Sequence, residues 1–191
     1  MVFRMKAREK YALEERLVGS LARSFPLSPN WVTLLSIVLM LAACVALFQK
    51  QFGQAGLLVL LSGLLDVVDG TVARVQGKAT RFGNFFDKLA DKINDSMIPI
   101  AAVLFGLIEP VLGLLAVFFV LISSYESAVL EIVSRGKRTA EELSLRPLRV
   151  GITALGAASS RLPEAMALVV AMGVYSFLSR AWTAWKLEKK R

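Results

Sequence analysis

The chain has 191 residues, 55% of them hydrophobic, and a mean hydropathy of +0.59; that is too apolar for an ordinary soluble protein and long enough for one domain. The formal charge of +8 would suit a polyanion, but the lysines and arginines fall between the apolar runs, which is the signature of membrane topology, so no nucleic-acid partner is expected. Histidine is absent and the single cysteine, Cys44, lies inside an apolar run, which excludes an intramolecular disulfide, a paired-cysteine metal site and histidine-based zinc chemistry.

The first residues, MVFRMKAREKYALEERL, mix both charges and do not read as a cleavable signal peptide. Leu13, Leu17 and Leu21 share a helical face, with Tyr11 and Val18 beside them, while Glu14, Glu15, Arg16 and Arg23 lie elsewhere on the wheel. The spacing predicts an amphipathic helix lying in the cytoplasmic interface. Ser28, Pro29 and Asn30 punctuate the entry into the bilayer.

A spanning helix needs about 20 mainly apolar residues. Six candidates follow, at 30–48, 54–68 with a helical pattern running on to Arg74, 85–108, 110–133, 147–162 and 164–185. The third starts polar and becomes apolar, and the fourth does the reverse. The fifth is short and rich in small residues, which suits close packing against neighbouring helices. The expected fold is an all-α integral membrane protein. It has a cytoplasmic interfacial juxtamembrane helix over 1–29 and a domain of six transmembrane helices over 30–191.

Charge assigns the sides. Arg4, Lys6, Arg8, Lys10, Arg16 and Arg23 precede the first span; Arg74, Lys78 and Arg81 join the second to the third. Arg135, Lys137, Arg138, Arg146 and Arg149 join the fourth to the fifth, and Arg180, Lys186, Lys189, Lys190 and Arg191 close the chain. The other three connections hold only Lys50 and Arg161. The positive-inside rule therefore puts both termini in the cytoplasm, as six spans require, with the cell membrane as the location.

Four aspartates interrupt this apolar chain where the second and third spans meet. Asp66 and Asp69 are three residues apart, and Asp87 and Asp91 four, so each pair shares a helical face. A tight connection around Gly77 and Gly83 would bring the faces together at the cytoplasmic side. Carboxylates at membrane depth are costly. They must be protonated, paired with bases such as Arg74, Lys88 and Lys92, or hold divalent cations. Hard cations with oxygen ligands suit aspartate best, and two ions held by four carboxylates would match phosphoryl chemistry. A cation-coupled transporter is the competing class; it would place its acids near the midplane on broken helices.

The run Asp66-x2-Asp69-Gly70-x2-Ala73-Arg74-x8-Gly83-x3-Asp87-x3-Asp91 resembles, residue for residue, the signature of the CDP-alcohol phosphotransferases. The resemblance extends to the six spans and the juxtamembrane helix. It implies transfer of a phosphatidyl-type group from a CDP-linked lipid (CDP-diacylglycerol or its archaeal ether analogue) to an acceptor hydroxyl, with release of CMP. It further implies that Asp66, Asp69 and Asp87 hold Mg²⁺ or Mn²⁺, two ions in all, with Asp91 also near a metal and acting as the catalytic base. Gly70, Ala73 and Gly83 would let the donor's cytidine and pyrophosphate approach the backbone, with Asp66 and Arg74 beside them. A homodimer is implied as well.

The acceptor is less legible. Arg146 and Arg149, three residues apart at the entry to the fifth span, suit an anionic acceptor, as arginines do in members using inositol phosphate. Against this, the SSYESAVLE stretch places Glu126, Ser127 and Val129 where such members carry lysine or arginine, although Glu131 persists. The DKLADK run is closer to glycerophosphate-using members, and a third branch uses CDP-inositol as donor. The balance favours a polyol phosphate, with inositol phosphate ahead of glycerol phosphate.

Overall fold

The computed structural model describes residues 28–133 and 145–188, all helices and short connections. The helices are α1 (Pro29–Phe48), α2 (Phe52–Val75), α3 (Arg81–Leu104), α4 (Pro110–Val133), α5 (Arg146–Ala158) and α6 (Leu162–Glu188). The expected interfacial helix before residue 28, together with Lys137 and Arg138, lies outside the described residues.

All six expected elements are helices, but they differ in kind. Four are long and apolar enough to cross a bilayer: Pro29–Phe48, Phe52–Val75, Pro110–Leu130 and Leu162–Lys186. The α3 helix matches them in length but carries Asp87, Lys88, Asp91 and Lys92 in its first half and Asp95 just beyond its middle. The α5 helix has 13 residues, about 20 Å at 1.5 Å per residue, against a hydrocarbon core of about 30 Å.

Local chemistry sets the boundaries. Proline opens α1 and α4 and sits in the first turn of α5, where its missing N–H costs nothing. Thr80 caps α3 by accepting the Gly83 N–H at 2.9 Å, so that helix starts four residues before its expected position. Four helices end on a residue in the left-handed region: Lys50, Gly77, Gly106 and Ser160. In each case the next N–H reaches back to a carbonyl five residues earlier, as in Gln51 to Ala46 and Lys78 to Ala73. This closing turn satisfies carbonyls that a helix end otherwise leaves unpaired.

The principal pairings run α1–α2, α2–α5, α5–α6, α6–α4, α4–α3 and α3–α1, so the helices close a ring. Its core interleaves bulky and small side chains, with Leu47, Val59, Ile98 and Met166 against Ala43, Ala102, Ala116 and Ala157. Close approach depends on small residues: a Cβ on Gly56 of α2 would meet the Ala154 carbonyl oxygen and Ala158 of α5. Large side chains such as Leu41, Leu57, Leu114, Phe118 and Leu178 are exposed on the outside, as expected where the solvent is lipid. A small cavity of ≈ 30 Å³ lies inside the ring; Met40, Val59, Ile98, Val120, Arg149 and Met166, one residue from each helix, line it among others.

Candidate active site

Asp66 and Asp69 sit in the last turns of α2, Asp87 and Asp91 in the second and third turns of α3. Five residues join the helices, with Gly77 at φ +64° making the turn. The two acidic faces therefore meet at one end of the ring. One carboxylate oxygen from each of Asp66, Asp69 and Asp87 lies within 4.8 Å of the other two. Asp91 stands outside this trio, and its Oδ1 is 2.8 Å from Nη2 of Arg146.

Arg146 is the cation that faces the acids. Its Nη1 contacts Asp66 Oδ2, its Nη2 donates to Asp66 Oδ1 at 3.2 Å, and its Nε donates to both oxygens of Asp95 at 3.2 and 3.3 Å. One guanidinium thus bridges α5 to α2 and α3. Arg149 follows Arg146 one turn later on α5. Arg149 lines the cavity inside the ring, its Nε is buried without a hydrogen-bond partner, and it lies within electrostatic reach of Asp95, Arg146 and Arg180.

Asp69 is the most deeply placed of the four motif acids, 2% exposed. Thr33 of α1 donates to its Oδ2 at 2.6 Å, while its Oδ1 is buried with no hydrogen-bond partner. A polar seam continues from there into the bundle. Ser36 Oγ donates to the Thr33 carbonyl at 2.7 Å, Asn94 Nδ2 donates to Ser36 Oγ at 3.0 Å, and Ser62 Oγ donates to the Ser36 carbonyl at 2.8 Å. These contacts tie α1, α2 and α3 together directly behind the carboxylates.

The remaining motif residues surround the trio. Gly70 is half-buried beside Arg74, whose Nη1 would be 3.4 Å from an added Cβ. Arg74 is exposed and donates to Thr71 Oγ1 at 3.2 Å; Ala73 is half-buried one residue before it. At Gly83 a Cβ would lie 3.0 Å from Thr80 Oγ1 and 3.2 Å from Asn30 Oδ1, so this glycine lets the start of α3 lie against the start of α1.

Thr33, Asn94 and Asp95 are site residues that motif reading passed over. Their signal was present: Asn94 and Asp95 continue the stripe of Asp87 and Asp91 one turn further along α3, and Thr33 and Ser36 share a face of an otherwise apolar span.

Three hard oxygen donors this close, on acids of which Asp69 keeps one buried oxygen without a partner, fit a divalent cation. Arg74 and Lys88 lie within electrostatic reach of Asp87, and Lys92 of Asp91. The acids also gather at one end of continuous helices, which is unlike the broken midplane helices of a transporter.

Residues 26–187 match the family profile described as CDP-alcohol phosphatidyltransferase. The chain is 25% identical to archaetidylinositol phosphate synthase of Pyrococcus horikoshii, over 97% of both chains. Its fold superposes on phosphatidylinositol phosphate synthase of Mycobacterium tuberculosis in complex with manganese and citrate, with a TM-score of 0.70, 26% identity and 90% and 88% of the two chains covered. The same enzyme with CDP-DAG bound gives a TM-score of 0.68 and 25% identity over 94% of each chain.

Proposed function

The chain belongs to the CDP-alcohol phosphatidyltransferase family and is a membrane-embedded transferase of phospholipid biosynthesis, and from that premise we propose that it transfers a phosphatidyl-type group from a CDP-linked lipid to inositol phosphate. The observation that carries this is the Asp66–Asp69–Asp87 trio with Asp91 held beside it. Relatives named for inositol phosphate products support that acceptor over glycerol phosphate and over a CDP-inositol donor.

In the proposed reaction the acceptor hydroxyl attacks the phosphorus that carries the lipid. A new oxygen–phosphorus bond forms, the pyrophosphate bond breaks, CMP departs and the hydroxyl proton passes to Asp91. Mg²⁺ or Mn²⁺ held by Asp66, Asp69 and Asp87 would offset the charge of the pyrophosphate and of the leaving CMP; a manganese-containing relative supports this choice. Arg146 positions Asp91 and Asp66 relative to each other. Gly70, Ala73, Arg74 and Gly83 flank the place of the CDP moiety, and Arg149, facing the cavity, receives the acceptor phosphate. We place the site at the cytoplasmic face, with both termini on that side, six spans in all, two ions and a homodimeric assembly.

The test is CMP release by purified protein with Mg²⁺ and CDP-diacylglycerol or CDP-archaeol. Inositol 1-phosphate, glycerol 3-phosphate, inositol, serine or no acceptor is supplied in parallel. Release that depends on inositol 1-phosphate is the expected result. Release with another acceptor alone would replace the acceptor assignment, and activity only with CDP-inositol would replace the donor.

A further inference from the structure

The two helices that carry the trio touch each other little. Both α2 and α3 pack along α1 instead, so the distance from the Asp66–Asp69 pair to Asp87 is set through α1. Ser36 of α1 is where both attach. Its Oγ accepts from Asn94 Nδ2 of α3 at 3.0 Å, and its carbonyl oxygen accepts from Ser62 Oγ of α2 at 2.8 Å. Ser36 has one hydroxyl hydrogen and donates it to the Thr33 carbonyl at 2.7 Å, so its Oγ meets Asn94 as an acceptor. Ser36, Ser62 and Asn94 are 0%, 1% and 3% exposed, and Thr33, one turn nearer the acids, holds Asp69.

Each attachment sits on the acid-bearing face of its helix. Ser62 precedes Asp66 by four residues and Asp69 by seven, and Asn94 follows Asp91 by three and Asp87 by seven. Those are the spacings of one and two helical turns. Packing alone would be served by an alanine, which α1 carries two turns further on at Ala43. A hydroxyl and an amide buried at this depth are costly unless bonded, so sliding α2 against α3 would break bonds that nothing replaces. We propose that Ser36 is a positioning residue that fixes the separation of Asp66 and Asp69 from Asp87, and with it the preference of the trio for a small divalent cation over a large one. Mg²⁺ demands near-ideal octahedral geometry with short bonds, whereas Ca²⁺ accepts longer bonds and irregular coordination. A trio whose two halves drift loses affinity for the first and little for the second. This rests on the reading of the trio as a divalent-cation site and deepens it.

The experiment follows Mn²⁺ binding to the purified protein in detergent by the EPR signal of the free ion, then titrates Mg²⁺ and Ca²⁺ as competitors. It compares the wild type, Ser36→Ala, and Ser36→Ala combined with Asn94→Leu. In Ser36→Ala, Mg²⁺ affinity should fall about tenfold, while Ca²⁺ affinity should change by less than about threefold. The double variant also removes the amide left without a partner. Its melting temperature should return toward that of the wild type, while the ion preference stays narrowed. Should Ser36→Ala fail to fold, the double variant carries the test. An ion preference unchanged in the variants, an equal loss for both ions, or a preference that recovers together with the melting temperature overturns the positioning role and leaves the metal site standing. A wild type that binds none of the three ions overturns the metal site itself, and this role with it.

Discussion

Thr33 donates a 2.6 Å hydrogen bond to Oδ2 of Asp69, so the first membrane helix orients the deepest carboxylate of the site on the second. A partner of this kind fixes which oxygen of a ligating carboxylate faces the metal. Thr33→Val keeps the shape and removes the donor, leaving both Asp69 oxygens without a hydrogen bond. We expect Mn²⁺ affinity to fall roughly 10–100-fold, with a stability loss of about 1–3 kcal/mol. Titration of Mn²⁺ and thermal unfolding in detergent measure the two effects separately. Unchanged affinity would mean that Asp69 is oriented by its helix alone.

The trio and Asp91 should separate experimentally. Asp69→Asn is expected to abolish CMP release and weaken Mn²⁺ binding, while the fold persists because asparagine still accepts from Thr33. Asp91→Asn should retain the metal and lose about 10²–10⁴-fold in kcat, as removal of a general base does. Chelation by EDTA should silence the wild type, and Mg²⁺ or Mn²⁺ should restore it. If Asp91→Asn and Asp69→Asn lose metal equally, Asp91 is a ligand of the same rank as the trio.

Much of this arrangement was legible because the chemistry is local in sequence. Asp66 to Asp91 lie on two consecutive helices joined by a short turn, so spacing alone put both pairs on facing surfaces. The six helices followed from apolar runs, and the tight connection from the glycines Gly77 and Gly83; that Gly77 takes a left-handed conformation is seen only in the structure. What spacing did not give was the contribution of distant segments. Thr33 is polar but unremarkable in a long apolar run, and its partner lies 36 residues away. Arg146 was noticed for its charge, but its contacts with Asp66, 80 residues distant, and with Asp95 depend on α5 returning against α2. The pairing of Glu126 with Arg180 likewise depends on ring closure, which no periodicity encodes.

The ring closes only where backbones approach, and this can be tested on one helix. A Cβ on Gly56 would press on the Ala154 carbonyl and on Ala158, whereas at Gly53 it would meet nothing within 4 Å. Gly56→Ala should lower stability by about 1–3 kcal/mol by overpacking, despite the better helix propensity of alanine. It should also reduce activity, because displacing α5 displaces Arg146 and Arg149. Gly53→Ala should be neutral or stabilising by up to about 1 kcal/mol. Equal melting temperatures for the two variants would contradict close packing of α2 on α5.

Arg146 is held by acids from two helices: Asp66 on α2, and Asp91 and Asp95 on α3. Its side chain is 18% exposed and that of Asp95 7%, so solvent does little to screen the pairs. Removing one partner of a mostly buried ion pair leaves the others uncompensated, which costs about 3–5 kcal/mol. Arg146→Ala should therefore destabilise by that order and abolish transfer together. Arg146→Lys restores the charge but not the planar fork that lets Nε and the two terminal nitrogens reach different acids at once. It should recover most of the stability and little of the activity, because Asp91 is no longer fixed relative to Asp66. That divergence, read by thermal melts alongside kcat, separates a positioning role from simple charge neutralisation. A lysine variant with near wild-type kcat would show that the charge alone suffices.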